Sequence, residues 1–287
     1  MSAKVYFTRE VSPEAVLRLY RLLGFTPEGR VSVKVHSGEV GNQNFLRPEF
    51  WEPVMREVGG VITECNTAYN GSRGTTAKHV KTMKTHGWSD MYEVDILDSD
   101  SPDIVLDIPN GRIIDKSYIG AHTDRYSSSL VLSHFKGHPM GGYGGALKQL
   151  SIGYASAYGK AHIHGAGNAD LLWKGDHDSF LRAMADAASA LVGFFGGRLA
   201  YINVMANLSV DCDCCAVAED PCMKDIGILA SLDPVAIDKA CLDLVYASTD
   251  RGRDHLVERI ESRNGILTVN AAEELGLGTT EYELITV

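Results

Sequence analysis

Asp211-Cys212-Asp213-Cys214-Cys215 sets three thiols within a run of five residues, and Cys222 follows seven residues after Cys215. Thiolate is the form that binds metals, and soft sulfur ligands select zinc, copper(I) or an iron-sulfur cluster. Asp211, Asp213, Glu219 and Asp220 are expected to raise the thiol pKa values by like-charge repulsion, a penalty that a bound cation reverses. The spacing matches neither the paired CxxC of a zinc ribbon nor the ferredoxin run, so it does not name the metal. Adjacent Cys214 and Cys215 resist facing one ion together. Ordinary turn thiols are the plain alternative.

A second group is His134, Lys136 and His138. In extended chain the side-chain period is two, so all three point the same way; Gly137 and Pro139 argue against a helix here. His134 is a candidate metal ligand, and Lys136 and His138 are candidate catalytic groups, against the plainer reading of one packed and two solvated side chains. His36 joins them because it follows an apolar strand beside Lys34, where a polar group needs a partner. His79 and His86 fall in a helix and at its end, where capping or surface roles are expected. Gly141-Gly142-Tyr143-Gly144-Gly145, then Lys148, reads as a loop leading into a helix and turning backbone N–H groups toward an anion, with Gly144, Gly145 and Lys148 as contacts. It has no Walker GK[ST] ending, and a tight loop without ligand is the alternative. Ser133 to Lys136 fits SxxK, but its companion motifs are missing.

These groups need a scaffold. Apolar, β-branched runs at 31–35, 61–65, 104–108, 129–135 and 199–204 alternate with helical spacing at 13–23, 48–58, 178–195 and 234–246. Ser12 before Pro13 and Asp233 before Pro234 are helix starts, and Gly59-Gly60 is a stop. The pattern predicts an α/β fold with one mixed, mostly parallel sheet and helices on both faces. Turns at 98–103 and Gly111 make its middle partly antiparallel. Cys241 falls on the apolar face of the last helix and Cys65 ends a strand, so both are expected in the core. In open α/β sheets ligands bind beyond the carboxyl ends of the strands. His36, Asn66 with Arg73, the His134–His138 stretch and the cysteines all follow such ends, and Arg47 lies downstream of the first.

The chain has 287 residues, 27 basic against 37 acidic, for a formal charge of −10. At about 150 residues per domain this length suits a single domain over 1–287 or two lobes divided within about 137–167. The acidic balance and the lack of a Lys/Arg cluster exclude nucleic acid as the expected partner. The start lacks the apolar core of an export signal, and the longest apolar stretch, 187–195, is too short for a bilayer span, so a cytoplasmic protein is expected. In a reducing compartment six cysteines are thiols or ligands rather than bridges.

Several stretches together resemble the domain-of-unknown-function 362 family, often labelled iron-sulfur center proteins. They are Val33 to Asn42 with Leu46-Arg47-Pro48, Ser133 to His138 with Gly141 to Lys148, Asp211 to Cys215, and Asp225 to Ser231 with Asp233 to Asp238. The likeness spans almost the whole chain and implies an α/β protein whose relatives are associated with iron-sulfur clusters and redox work. Many relatives carry a ferredoxin-like insert with repeated cysteine runs after the segment matching Gly159-Lys160. Here 161–176 contains no cysteine, so the insert's two cluster sites are not inherited. Only Cys212, Cys214, Cys215 and Cys222 remain.

The leading expectation is a cytoplasmic protein associated with a metal or iron-sulfur cluster, working as an oxidoreductase or electron carrier. The thiols and His134 hold the metal, zinc being another candidate, while His36, Lys136 and His138 bind substrate or move protons. The rival is a metal-independent enzyme or binding protein for a phosphorylated or carboxylated small molecule, contacted by Arg47, Asn66, Arg73, Gly144, Gly145 and Lys148. A zinc-stabilised scaffold without catalysis is the third reading.

Overall fold

The computed structural model describes residues 2–287. Its strands are β1 (Ala3–Thr8), β2 (Val31–Lys34), β3 (Val61–Glu64), β4 (Val94–Ile96), β5 (Ile104–Asp107), β6 (Lys116–Ile119), β7 (Ser128–His134), β8 (Lys136–His138), β9 (Gly142–Gly144), β10 (Leu199–Met205), β11 (Gly227–Ser231) and β12 (Tyr282–Thr286). Eight form one sheet in the order β12-β1-β11-β10-β7-β2-β3-β4, while β5 pairs with β6 and β8 with β9 in separate hairpins. From β10 to β4 every neighbour is parallel. β11 is antiparallel to both β10 and β1, and β12 is parallel to β1, so only β11 runs against the rest. The chain is thus an α/β fold on a mixed, mostly parallel sheet.

Local chemistry sets the helices. The helix Pro13–Leu22 starts where the Ser12 side chain accepts from the Ala15 amide at 3.1 Å. The helix Pro234–Ala247 starts where Asp233 accepts from the Val235 and Ala236 amides, each at 2.9 Å. The long helix His177–Phe195 stops at Gly196, whose φ of 58° is left-handed and suits glycine. The stretch expected as one helix over 48–58 divides into a 3-10 turn, Pro48–Trp51, and a helix, Glu52–Val58, because Pro53 has no N–H to continue the ladder. No helix among the described residues is long and apolar enough to cross a membrane.

The sheet alternates its side chains between two buried clusters. Leu130, Leu132, Ala200 and Ile202 pack with Val16, Leu19 and Val54 on one face. Val131, Phe135, Tyr201 and Leu229 pack on the other with Leu191, Phe195, Ile237 and Cys241. On that second face β2 contributes polar groups. Ser32 bonds to Thr63 at 2.6 Å and to the Tyr154 hydroxyl at 2.7 Å, and Lys34 is fully buried. This polar layer leads to the site.

Three expectations change. The 104–108 strand lies outside the main sheet, in the β5–β6 hairpin. The glycine-rich stretch read as a loop is partly strand, with Lys136 opposite Gly144 and His138 opposite Gly142. His79 is not at the surface but fully buried, its Nδ1 3.3 Å from the Asn66 side-chain oxygen.

Buried Asp238 ties the β8–β9 hairpin to the core. It accepts from the Ala146 amide at 2.8 Å, the Leu147 amide at 3.0 Å, the Asn203 side chain at 2.7 Å and the Tyr143 hydroxyl at 3.1 Å. Burial pushes its pKa up to about 6, although these donors pull the other way. A Cβ on Gly145 would sit 2.4 Å from an Asp238 oxygen, so only glycine permits this approach. Asp238→Ala should lower the unfolding free energy in urea by about 3 kcal/mol or more, because four buried donors lose their acceptor; a change within about 0.5 kcal/mol, as at an inert surface position, would contradict this.

Candidate metal and anion site

A cavity of about 270 Å³ opens beyond the carboxyl ends of β2, β3 and β7. His36 comes from the end of β2, Glu64 from β3, and His134, Lys136 and His138 from β7 and β8. Cys212 and Cys214 enter from the connection after β10, and Lys148, Lys160, His164 and Trp173 complete the wall. Stretches far apart in the chain therefore meet at one rim of the sheet.

Two of the four clustered thiols face this space. The ligand atoms of His138, Cys212 and Cys214 lie within 4.8 Å of one another, a group that could bind a metal ion. Cys214 Sγ is 3.9 Å from His138 Nε2, and the Cys214 amide donates to Cys212 Sγ at 3.3 Å. Cys215 and Cys222 do not line the cavity; the Cys222 thiol donates to the Leu208 carbonyl at 3.2 Å. Cys214 is pushed up to about 11, since its contact with Cys212 is outweighed by its bond with Cys215 and by burial. The bond to Cys214 draws Cys215 down. The acidic neighbours are not what raises Cys214.

Asp213 turns away from the thiols and into the β7 end. Its carboxylate receives Lys136 Nζ at 2.8 Å and His134 Nδ1 at 3.0 Å, and its carbonyl accepts from the Glu39 amide at 2.8 Å. Burial alone would raise the pKa of Asp213, but His134 and Lys136 hold it well below the usual carboxylate range. For Lys136, burial is likewise outweighed by Asp213 and the net direction is upward. His134 Nε2 lies 2.6 Å from the Ala206 carbonyl. Both nitrogens of His134 therefore meet oxygen acceptors, and neither offers a lone pair to an ion at the thiols. It is engaged by Asp213 and the Ala206 carbonyl, and the candidate metal group among the described residues is formed by His138, Cys212 and Cys214.

His36 and His138 carry the converse pattern. The Gly38 amide donates to His36 Nδ1 at 3.2 Å, and the Met140 and Gly141 amides donate to His138 Nδ1 at 3.1 and 2.9 Å. A nitrogen that accepts from amides carries no proton, so each neutral ring bears its hydrogen on Nε2. Burial, aided by the Arg73 charge at His36 and the Lys148 charge at His138, lowers both to about 4, and both rings are neutral at pH 7. A metal-bound histidine normally donates its second N–H to an acceptor. His138 does the reverse. The two thiols thus fit a thiophilic cation, whereas His138 joins its shell only if the turn at 139–141 releases Nδ1.

Among mostly apolar lining the wall also holds Arg73, Lys148 and Lys160, with Lys34 behind it. Lys34 pairs with Glu64 at 3.0 Å, and Arg73 with Glu39 at 3.2 Å and Glu64 at 3.4 Å. Lys160 is bound only by the Ala155 carbonyl, at 2.6 Å, and burial lowers its pKa. Among the described residues neither Lys148 nor Lys160 has an ion-pair partner, although Lys34, Arg73 and Lys136 do. Of the other expected contacts, Arg47 lies over the Phe45 ring at 4.0 Å and Asn66 donates to Thr76 at 3.0 Å, both outside the cavity wall. Gly144 and Gly145 line the cavity, while the next two amides, of Ala146 and Leu147, donate to Asp238 rather than to the cavity.

A sequence model of the domain of unknown function DUF362 matches residues 31–243, most of the chain and every residue that lines this cavity. The chain belongs to the DUF362 family. No curated protein matches it in sequence. Among solved structures, this DUF362 member is similar to the lactate racemase apoprotein from Thermoanaerobacterium thermosaccharolyticum, with a TM-score of 0.45, 15% identity, and 69% of this chain and 50% of that one covered. It is also similar to a Thermotoga maritima protein, with a TM-score of 0.50, 12% identity, and 82% and 58% covered. The second likeness is one of fold, and the chain spans 58% of that protein's length.

Glu64, Lys160, His164 and Trp173 of this DUF362 chain were not singled out from sequence, and Asp213 was read only as a charge beside the thiols. Glu64 anchors the site electrically, since Lys34 and Arg73 outweigh its burial and hold its pKa well below the usual range. Its contribution to stability is present above about pH 4.3, the unfolded value, and is lost as pH falls through the lower folded value. Glu64→Gln should cost about 3–5 kcal/mol at pH 7 by stranding two buried cations. In pH-dependent unfolding it should also flatten the acid limb; an unchanged acid limb would contradict the assignment.

Proposed function

We propose that the protein is an enzyme for a small anionic molecule and that Cys212 and Cys214 form its reactive end, holding a thiophilic metal ion in the working state. The observation that carries this reading is the meeting, in one cavity, of a close thiol pair with the unpaired ammonium groups of Lys148 and Lys160. An acidic chain of net charge −10 has no general reason to collect buried cations around a cavity unless an anion compensates them there. A cation on the two thiolates would supply a Lewis acid beside that anion. Lys148 and Lys160 would bind and orient the anion, while Lys136, fixed by Asp213, would keep positive charge at the thiols. His36 and His138, neutral with Nε2–H, would donate hydrogen bonds to sulfur or substrate. A redox role, as expected from the family resemblance, belongs to this reading as electron transfer at the thiols or their metal.

A second reading is favoured by the His138 hydrogen bonds. With Nδ1 held by two amides, the ring is a donor to sulfur rather than a ligand, which suits metal-free thiol chemistry on the same anion. Metal content separates the two. Protein purified anaerobically should hold about one thiophilic ion per chain, lost in Cys212→Ser and Cys214→Ser and kept in Cys222→Ser. Protein that is metal-free and stays so after reconstitution, yet melts higher with phosphate or small carboxylates, would favour the second reading.

A further inference from the structure

Trp173 stands apart from the chain's other indoles. Trp51 and Trp88 are buried to 2% and 0% exposure, whereas Trp173 is 48% exposed and lines the cavity. Its φ of 72° is left-handed, a conformation that a bulky side chain adopts at a cost and keeps only where its surroundings impose it. The turn does so: the Lys174 and Gly175 amides both bond to the Leu171 carbonyl, at 2.7 and 3.1 Å. The indole lies 4.8 Å from the His164 ring at 55°, and His164 in turn stacks on Phe180 at 4.5 Å and 16°. The buried His164 side chain makes no hydrogen bond among the described residues, and its Nδ1 is fully enclosed without a partner. Lys148, Lys160 and Met140 line the same cavity.

We infer that this end of the cavity selects anions carrying a planar, conjugated ring, with Trp173 as the specificity-determining stacking residue and Lys148 and Lys160 as the charge anchors. The inference rests on the anion reading and adds the class of molecule. A half-exposed indole at a cavity mouth, held by a strained turn against a stacked pair of rings, offers a flat apolar face that a saturated anion leaves wet. A ring placed on it recovers that area and a favourable stacking geometry.

Binding of phenyl phosphate, benzoate, inorganic phosphate and acetate would be measured by thermal shift and calorimetry for wild type, Trp173→Phe and Trp173→Ala, with indole fluorescence as a second signal. Phenyl phosphate should bind wild type roughly three- to tenfold more tightly than inorganic phosphate, the scale of one aromatic stack, and should quench the fluorescence. Trp173→Phe should keep most of that preference. Trp173→Ala should lose it while still binding inorganic phosphate like wild type. An unchanged preference in Trp173→Ala would overturn the role of Trp173 and leave the anion reading standing. Wild type that binds neither phosphate nor phenyl phosphate would overturn both.

Discussion

The carboxylate of Asp213 is the constraint on which the site depends. It lies between two thiols in sequence, and its bonds to Lys136 and His134 reach across to the end of β7. Asp213 turns inward to the β7 end, while Cys212 and Cys214 on either side of it line the cavity. One buried ion pair thus fixes both the sulfur and the nearest ammonium. Burying Lys136 without it would be costly, and burying Asp213 without Lys136 and His134 equally so. The same logic governs the other wall, where Glu64 serves Lys34 and Arg73 together and Glu39 completes the arginine.

This arrangement separates cations held by carboxylates from cations without such a partner. Lys34, Arg73 and Lys136 are spent on carboxylates, whereas among the described residues Lys148 and Lys160 have no carboxylate partner. The imidazoles divide in the same way. His134 is saturated by oxygen acceptors, while His36 and His138 are oriented from behind by backbone amides and keep Nε2–H toward the sulfurs. Hydrogen bonds to the far side of each ring decide what the near side can do, which identity and spacing alone do not reveal.

Much of the scaffold was legible because it rests on short-range chemistry. Ser12 and Asp233 announce their helices, and the apolar runs at 31–35, 61–65, 129–135 and 199–204 mark the central parallel strands. The edge was not. β12 has no buried residue and gains its place by pairing with β1, and β11 owes its reversed direction to contacts far away in sequence. At the site, the polar residues after each strand were visible as a group, and the cavity gathers His36, Arg73, His134, Lys136, His138, Cys212 and Cys214 from them, with Lys148 from the glycine-rich stretch. Arg47, Asn66, Cys215 and Cys222 fall outside its wall. Asp213 was read as a like-charge burden on the thiols, since a linear sequence cannot show which way a carboxylate turns. Lys34 in a buried strand was the signal that a carboxylate partner had to exist, and Glu64 is that partner.

Arg73, Lys136, Lys148 and Lys160 line the cavity of Cys212 and Cys214 in a protein of net charge −10. Alkylation of metal-free protein, followed residue by residue with mass spectrometry, tests the effect of these cations on the two thiols by comparing anionic iodoacetate with neutral iodoacetamide. The account predicts that iodoacetate gains on iodoacetamide at Cys212 and Cys214 and that salt erodes the gain, while Cys222, among acidic neighbours, favours the neutral reagent. If Cys212 and Cys214 showed the same preference for the neutral reagent as Cys222, the field proposed for the cavity would not exist.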